Sequence, residues 1–327
     1  MARHPWVAAA DEGVRFGVQL VLGPGAMDGL LESGRLVERL GFDGLFVFDH
    51  PAIQADPWVC LSALAGVTER VRLGSVVNCV PYRHPALLAR MAADLDTLSR
   101  GRLMLGLGIG WLKSEFRAFD VPFAPAPERH AALTEVLAIV DGVWRGEPFS
   151  FDGAHYRVDN LQIAPPAQRP RPPIMIGGNG EQVTLKLVAR FADACNVSEL
   201  QDRGNGQEAV GGAETIRRKL DALARHCDDT GRPHDEVLRT HFTLKLVLAP
   251  TEERAAAKLA AQRASPSASP ATRRAQPSAF VVGAPERVAA HYRELVEAGI
   301  QYFVVQLDAT DRETLELLAG EVVPNVA

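Results

Sequence analysis

The 327-residue chain has only four cysteines, and aromatic side chains make up just 6% of it. Cys60, Cys79, Cys195 and Cys227 are far apart in the sequence and form no CxxC pair, which argues against a zinc site or a disulfide framework. The histidines show no HxH or HExxH spacing, so we expect no metal. Buried thiols in a cytoplasmic protein are the expected state of the cysteines.

Long apolar runs and a surplus of positive charge are also missing. No apolar run reaches the roughly 18 residues that cross a bilayer, so we expect no membrane partner. The first 13 residues contain an apolar core too short for a signal peptide, which favours a ragged leader. The formal net charge is −5 and no basic stripe is present, so a nucleic-acid partner is not expected.

The chain does have a repeated alternation of strand and helix. Eight apolar segments predict strands, and nearly all are followed by a segment with helical periodicity. The predicted strands are Val14–Leu22, Asp43–Asp49, Val71–Val77, Leu103–Leu107, Ile174–Ile176, Ala194–Val197, Leu238–Leu248 and Gln301–Leu307. Such repetition predicts an α/β protein with a parallel sheet, and eight repeats favour a (β/α)8 TIM barrel with insertions. A doubly wound sheet is the alternative.

Two segments depart from this repeat, within what we interpret as one barrel domain over 1–327. Two β-rich runs flank Asp152-Gly153, which predicts a β-hairpin insertion near 149–158. A stretch rich in Ser, Pro, Ala and Arg near 264–278 predicts a mobile loop.

The most informative stretch is 98–111, which reads LSRGRLMLGLGIGW. Its predicted strand ends in the alternating glycines Gly106, Gly108 and Gly110. Without a Cβ, such a backbone can approach a flat ligand closely. Barrels place their sites at the C-terminal ends of strands. The segment is not the GxGxxG dinucleotide fingerprint, because the third glycine of that pattern is missing.

Other predicted strand ends carry unusual residues that a barrel would bring to the same face. Asp49-His50 ends the second strand, and His50 is either a proton carrier or a hydrogen-bonded cap. Gly177–Gly180 precedes a predicted helix over Glu181–Phe191, and it is either an anion cradle or a tight turn.

Further residues near these strand ends have two interpretations each. Trp111 either walls a pocket or covers the barrel rim. Glu115 is interpreted as a solvated carboxylate at a helix start. Arg83 is expected to pair with an acidic residue of a neighbouring loop, and Gln19 to line the pocket.

Seven segments across most of the chain carry a resemblance to a known family: RFGVQ (Arg15–Gln19), GFDGLFVFDH (Gly41–His50), RVRLGSVV (Arg70–Val77), YRHPALLAR (Tyr82–Arg90), LDTLSRGRLMLGLGIGW (Leu95–Trp111), PPIMIGGNGEQVTLKLVARFADACN (Pro172–Asn196) and VGAPERVAAHYRELVEAGI (Val282–Ile300). With them the chain resembles the bacterial luciferase-like superfamily, and it is most similar to the F420-dependent oxidoreductases. The resemblance implies a deazaflavin across a pocket at the C-terminal strand ends. It also implies a bulged third strand with a cis peptide at Val76–Val77.

The resemblance assigns roles to individual positions. His50 would donate or accept a proton near the reacting carbon. The topology, and not the resemblance, places Gln19 and Trp111 where they are expected to contact a small-molecule substrate. The implied cofactor contacts are Asp49, His50, Val76, Val77, Asn78, Gly108, Ile109, Gly110, Gly177, Gly178, Asn179 and Gly180. The chain departs from relatives that oxidise sugar phosphates, because Trp111 stands where they carry Glu.

The sequence therefore predicts an oxidoreductase that transfers a hydride between F420 and an organic substrate. One alternative is an FMN-dependent luciferase-like monooxygenase that uses O₂. Another is a non-catalytic protein that binds a flavin or deazaflavin. A homodimer in the cytoplasm is the expected state.

Overall fold

The barrel is closed by eight parallel strands, as the alternation of strands and helices predicted. The structure, a computed structural model, describes residues 3–22, 26–202, 207–265, 273 and 275–326. The barrel strands are β1 (Arg15–Val21), β2 (Gly44–Val47), β3 (Arg72–Cys79), β4 (Leu103–Gly108), β7 (Ile174–Gly177), β8 (Ala194–Val197), β11 (Leu238–Thr243) and β14 (Tyr302–Asp308). They follow the order β1-β14-β11-β8-β7-β4-β3-β2 around the barrel. The remaining strands are β5 (Phe149–Asp152), β6 (Arg157–Leu161), β9 (Leu200–Asp202), β10 (Gln207–Ala209), β12 (Leu246–Leu248) and β13 (Val281–Gly283).

Helices cover the outside of the barrel. They are α1 (Pro5–Ala8), α2 (Leu30–Arg39), α3 (Pro57–Ala65), α4 (Pro85–Leu98), α5 (Lys113–Ala118), α6 (Ala126–Val143), α7 (Thr184–Phe191), α8 (Gly212–Thr230), α9 (Glu252–Ala264), α10 (Pro285–Glu297) and α11 (Arg312–Leu317). Shorter helical turns span Ala9–Glu12, Ala26–Gly29, Val80–Tyr82, His234–Glu236, Pro277–Ala279, Leu318–Val322 and Val323–Asn325. In the described part of the chain, no helix is both long and apolar enough to span a bilayer.

The N-terminal segment is ordered where the structure describes it, so the prediction of a ragged leader is wrong. His4 caps α1 by accepting from Trp6 N. Trp6 is only 3% exposed, and its ring meets Tyr302 edge-on with centroids 5.5 Å apart. The Arg15 guanidinium lies 6.0 Å from the same indole. The short helix therefore packs against the barrel interior.

Large side chains fill the barrel on the side of Trp6. Phe46, Met104, Met175 and Tyr302 form one buried cluster with Trp6. The next inward position of β1 above this layer is Gln19, which pairs in register with Gln306 of β14. An inward amide in place of an apolar side chain marks the level at which the packed core gives way to the site.

The predicted strand Leu238–Leu248 is wrong as a single element. β11 ends at Thr243, and β12 leaves the barrel wall to pair in parallel with β13. The break falls at Leu244-Lys245, whose side chains line the central cavity. Apolar and β-branched residues continue through this break, so the sequence pattern gives no sign that the chain changes sheets.

The two predicted excursions have different outcomes. β5 and β6 pair antiparallel around Asp152-Gly153. Residues 266–272 and 274 of the predicted mobile loop lie outside the described residues. The small antiparallel pair of β9 and β10 has no counterpart in the sequence analysis.

Removing the indole of Trp6 tests whether α1 contributes to stability. We expect Trp6→Ala to lower the free energy of unfolding by about 3 kcal/mol, because loss of the indole leaves a cavity beside Tyr302. Urea denaturation measures this change. The control is Val183→Ala in the turn before α7, where the side chain is 47% exposed and a change below about 0.5 kcal/mol is expected. Equal midpoints for both variants would contradict a packing role for Trp6.

Candidate active site

A cavity of about 320 Å³ lies at the C-terminal ends of the barrel strands. Ten of the predicted cofactor contacts line it: Asp49, His50, Val76, Val77, Gly108, Ile109, Gly110, Gly177, Gly178 and Asn179. Gln19 and Trp111 line it as well. Asn78 and Gly180 are not among its lining residues, and Asn78 Nδ2 donates to Gly106 O at 2.9 Å. The strand-end residues are therefore mostly brought together as predicted.

The centre of the cavity wall is the bulge of β3. The pairing of β3 with β4 shifts register between Ser75 and Asn78, and the Val76–Val77 peptide bond is cis. Both features agree with what the family resemblance implied. The bulge places the Val77 side chain among glycines of the two following strands.

These glycines make room for Val77, which the sequence analysis did not anticipate. A Cβ at Gly108 would lie 2.6 Å from Val77 Cγ2, and one at Gly177 would lie 2.8 Å from Val77 Cγ1. Contacts this short are not sterically possible without displacement. The glycines that end β4 and β7 thus hold the shape of the wall, in addition to exposing backbone to the cavity.

Two amide side chains fix the bulge from inside the barrel. Gln19 is fully buried and its Nε2 donates to Val76 O. Its Oε1 accepts from Gln306 Nε2 at 3.1 Å. Gln19 therefore lines the cavity as predicted, but its amide is used within the protein.

His50 pairs with Glu115, so the prediction of a solvated Glu115 is wrong. Glu115 on α5 is 1% exposed, and its Oε2 lies 2.7 Å from His50 Nδ1. The Trp111 ring meets the imidazole edge-on at 5.7 Å while remaining 48% exposed. Of the two interpretations of Trp111, the cavity wall is the one the structure has.

Three groups hold the Glu115 carboxylate. Burial works to raise its pKa, but hydrogen bonds from His50 and from Ala52 N at 2.8 Å outweigh burial and lower the pKa. Tyr82 Oη donates to Oε2 at 3.2 Å. Only the position of Glu115, four residues after Trp111, could have drawn attention to it, and that spacing does not tell what the carboxylate faces.

Asp49 is the second buried carboxylate of the site. Its Oδ2 pairs with Arg83, as expected for Arg83, and accepts from Cys79 N at 3.0 Å. Arg83 also binds Asp56 at 2.7 Å. Burial nevertheless raises the pKa of Asp49. Its Oδ1 is buried and has no hydrogen-bond partner within the described chain.

The segment Gly177–Gly180 does not open the next helix directly. α7 begins at Thr184, so the predicted start at Glu181 is wrong. The Gly178 amide already donates a hydrogen bond to Asn196 O at 3.2 Å. The Gly178 amide is therefore not free, and the use of Gly177–Gly180 as an anion cradle stays a prediction.

Asn179 is anchored by a buried lysine. Lys219 Nζ donates to Asn179 Oδ1 at 2.9 Å and to Ser198 O. Burial lowers the pKa of Lys219 to about 8. The Asn179 side chain also donates to Ser198 Oγ at 3.0 Å. A cation thus lies behind this end of the cavity.

A buried ion pair holds the segment after β8. Glu199 Oε2 lies 2.7 Å from His241 Nε2 on β11. Burial would raise the pKa of Glu199, but the hydrogen bond and charge of His241 lower it to about 2. Glu199 lies between Ser198 and Leu200, which both line the cavity.

Sequence comparison places the chain in a family. Residues 13–302 match the family described as luciferase-like monooxygenase. The chain belongs to this family.

Two curated relatives are F420-dependent enzymes. Over 190 residues the chain is 33% identical to an F420-dependent glucose-6-phosphate dehydrogenase of Microbacterium testaceum, covering 55% of each chain. Over 174 residues it is 33% identical to an F420-dependent hydroxymycolic acid dehydrogenase of Mycobacterium tuberculosis, covering 51% of this chain and 48% of the relative. The chain thus spans about half the length of these curated relatives.

Solved structures of other proteins share the barrel. One is a coenzyme F420-dependent tetrahydromethanopterin reductase from Methanopyrus kandleri, with a TM-score of 0.78, 20% identity, and coverage of 96% of this chain and 100% of the other. An F420-dependent secondary alcohol dehydrogenase superposes with a TM-score of 0.80 at 17% identity, covering 96% and 99%. At such identities the likeness concerns the fold alone.

The Glu199–His241 pair predicts a pH-dependent contribution to stability. The folded-state pKa of Glu199, about 2, lies below its ordinary value of 4.5. The contribution is therefore fully present above pH 4.5 and is lost as the pH falls towards 2, with a size of about 3 kcal/mol. We expect Glu199→Gln to lower the free energy of unfolding at pH 7. The difference in free energy of unfolding between the variant and the wild type should be smaller at pH 3, as measured by urea denaturation midpoints. The control is Glu32→Gln, which changes an exposed carboxylate. A stability difference between Glu199→Gln and the wild type that does not change with pH would contradict the role of the Glu199–His241 pair.

Proposed function

We propose that the chain is an F420-dependent oxidoreductase that transfers a hydride between the deazaflavin and a small organic molecule. The observation that carries the proposal is the His50–Glu115 pair at a cavity built on the Val77 bulge. The names of the F420-dependent relatives support the choice of cofactor.

The residues present fit a deazaflavin. Val77, Gly108 and Gly177 form a wall from which few side-chain atoms project, and such a wall suits a planar ring. The orphaned Asp49 Oδ1 offers a buried hydrogen-bonding position at the same cavity. An unpartnered buried polar atom is costly, so a ligand group that pairs with it would be favoured. Asp49 and the Val76–Val77 bulge are therefore the groups expected to hold the ring.

The deazaflavin, when bound, supplies the hydride chemistry. The chain supplies a proton carrier. Because Glu115 is an acceptor at Nδ1, that nitrogen carries the proton of the neutral imidazole, and Nε2 remains as the basic atom. No hydrogen-bond partner for Nε2 occurs in the described part of the chain. His50 can thus accept a proton from a substrate hydroxyl, or return one to a substrate oxygen. Glu115 orients the ring.

Titration of the purified protein with F420 and with FMN tests the cofactor. We expect micromolar or tighter F420 binding and weak FMN binding, measured by fluorescence and calorimetry. The reverse preference would favour an FMN-dependent monooxygenase, the alternative suggested by the family description. Binding of neither cofactor would contradict the proposal.

Replacing His50 tests its role as the proton carrier. We expect His50→Ala to keep its affinity for F420 while turnover falls by about 10²-fold or more, because general acid–base catalysis typically contributes that much. Steady-state kinetics and the titration above measure the two effects separately.

The control is His155→Ala, which removes an exposed histidine between β5 and β6 and should leave turnover unchanged. Unchanged turnover in His50→Ala would remove His50 from the mechanism. F420 binding with no turnover of any substrate by the wild type would favour the non-catalytic alternative.

A homodimer and a cytoplasmic location stay predictions from the sequence. The exposed apolar side chains Val59 on α3 and Leu87 on α4 are where we expect a second protomer to pack.

A further inference from the structure

One polar corner of the cavity lies at β14, across the barrel from β4. Gln306 and Asp308 are two residues apart on this strand and pair in register with Gln19 and Val21 of β1. Lys245, which follows the end of β11, binds both carboxylate oxygens of Asp308 at 3.1 and 3.0 Å. Lys245 is 4% exposed and lines the cavity. At this corner the cavity is lined by Lys245 and Gln306, and Asp308 lies behind Lys245 as its ion-pair partner without lining the cavity itself.

This corner has hydrogen-bonding capacity left over. An ammonium group has three N–H bonds, and Asp308 takes two contacts from Lys245. Gln306 donates to Gln19, and no donor to Gln306 Oε1 occurs among the described residues. One donor and one acceptor thus remain, which suits a hydroxyl or carbonyl group.

The charge of the corner disfavours an anion. Apart from His50, Lys245 is the only basic side chain among the described residues that line the cavity. Its charge is balanced by Asp308. Phosphate recognition ordinarily uses Arg or Lys groups that are free to form charge-assisted hydrogen bonds. A phosphate group here would instead meet an ammonium group that is already paired with the Asp308 carboxylate.

Tyr82, Asn196 and Ser198 are further polar lining residues, but much of the remaining wall is apolar. Beside the corner, the cavity is lined by Phe48, Ile53, Trp111, Phe242, Leu244 and Phe280. Such a surface favours a ring or aliphatic body over a polyhydroxylated sugar, whose hydroxyl groups would lose hydrogen bonds to water without replacement.

We propose that the site takes an uncharged ketone or secondary alcohol with an apolar body, and that it excludes phosphorylated sugars. This proposal rests on the proposed F420-dependent function. In the reducing direction the carbonyl carbon gains a hydride from the reduced deazaflavin, which is left oxidised, and the oxygen gains a proton from His50, which lines the same cavity. The oxygen of the substrate binds at Lys245 and Gln306.

The first test compares two probes on the wild-type protein, with and without F420. Ligand-observed NMR should give saturable binding of cyclohexanone and no binding of glucose 6-phosphate. With reduced F420, cyclohexanone should be turned over, whereas glucose 6-phosphate should not react with oxidised F420. Binding or oxidation of glucose 6-phosphate that matches or exceeds that of the ketone would overturn the proposal.

The second test changes the charge of the corner. We expect Asp308→Asn to raise the affinity for glucose 6-phosphate by about tenfold or more, because the Lys245 charge is no longer balanced. The double variant Lys245→Met/Asp308→Asn is the matched control and should show no gain. A gain in both variants, or in neither, would contradict the role of the ion pair.

The two proposals fail in different ways. Failure of wild-type F420 binding would count against the proposed function. The NMR comparison on the chain alone would still decide between the uncharged ketone and the phosphorylated sugar.

Discussion

The site depends on the fit of one side chain, Val77, into space that glycines leave open. Gly108 and Gly177 belong to two different strands, and neither can carry a Cβ without a collision with Val77. The bulge in β3 and the hydrogen bond from Gln19 to Val76 O hold the side chain there. Packing at this density tolerates little change of volume, so the composition of three strand ends is tied to one residue.

The pKa values of the two buried carboxylates of the site are shifted in opposite directions. Burial raises the pKa of Asp49 despite its ion pair with Arg83, whereas the His50 and Ala52 hydrogen bonds lower the pKa of Glu115 despite its burial. Carboxylates whose environments separate in this way take different roles. Asp49 keeps an unpartnered oxygen at the cavity, and Glu115 stays ionised to hold the imidazole.

The elements that the sequence predicted are those with local signals. Strand and helix alternation, the Asp152-Gly153 hairpin and the glycines that end β4 are all read from neighbouring residues. The contact between Gln19 and Gln306 requires the closure of the barrel between its first and last strands, 287 positions apart. Lys245 was missed because it lies within Leu238–Leu248, a largely apolar segment whose pattern predicts one continuous strand. Glu115 was placed at the right helix start, but its surroundings depend on the loop after β2.

Charge pairing leaves His50 as the group for which we propose proton transfer. Lys245 is paired with Asp308, Arg83 with Asp49 and Asp56, and Lys219 with neutral oxygens of Asn179 and Ser198. Burial also raises the pKa of the Cys79 thiol, which makes it a poor nucleophile at this cavity. The imidazole is held at one nitrogen only, and the other nitrogen is the basic atom left at the cavity. The proposed proton transfer at Nε2 leaves the contact between Nδ1 and Glu115 and the ion pairs of Lys245 and Arg83 in place.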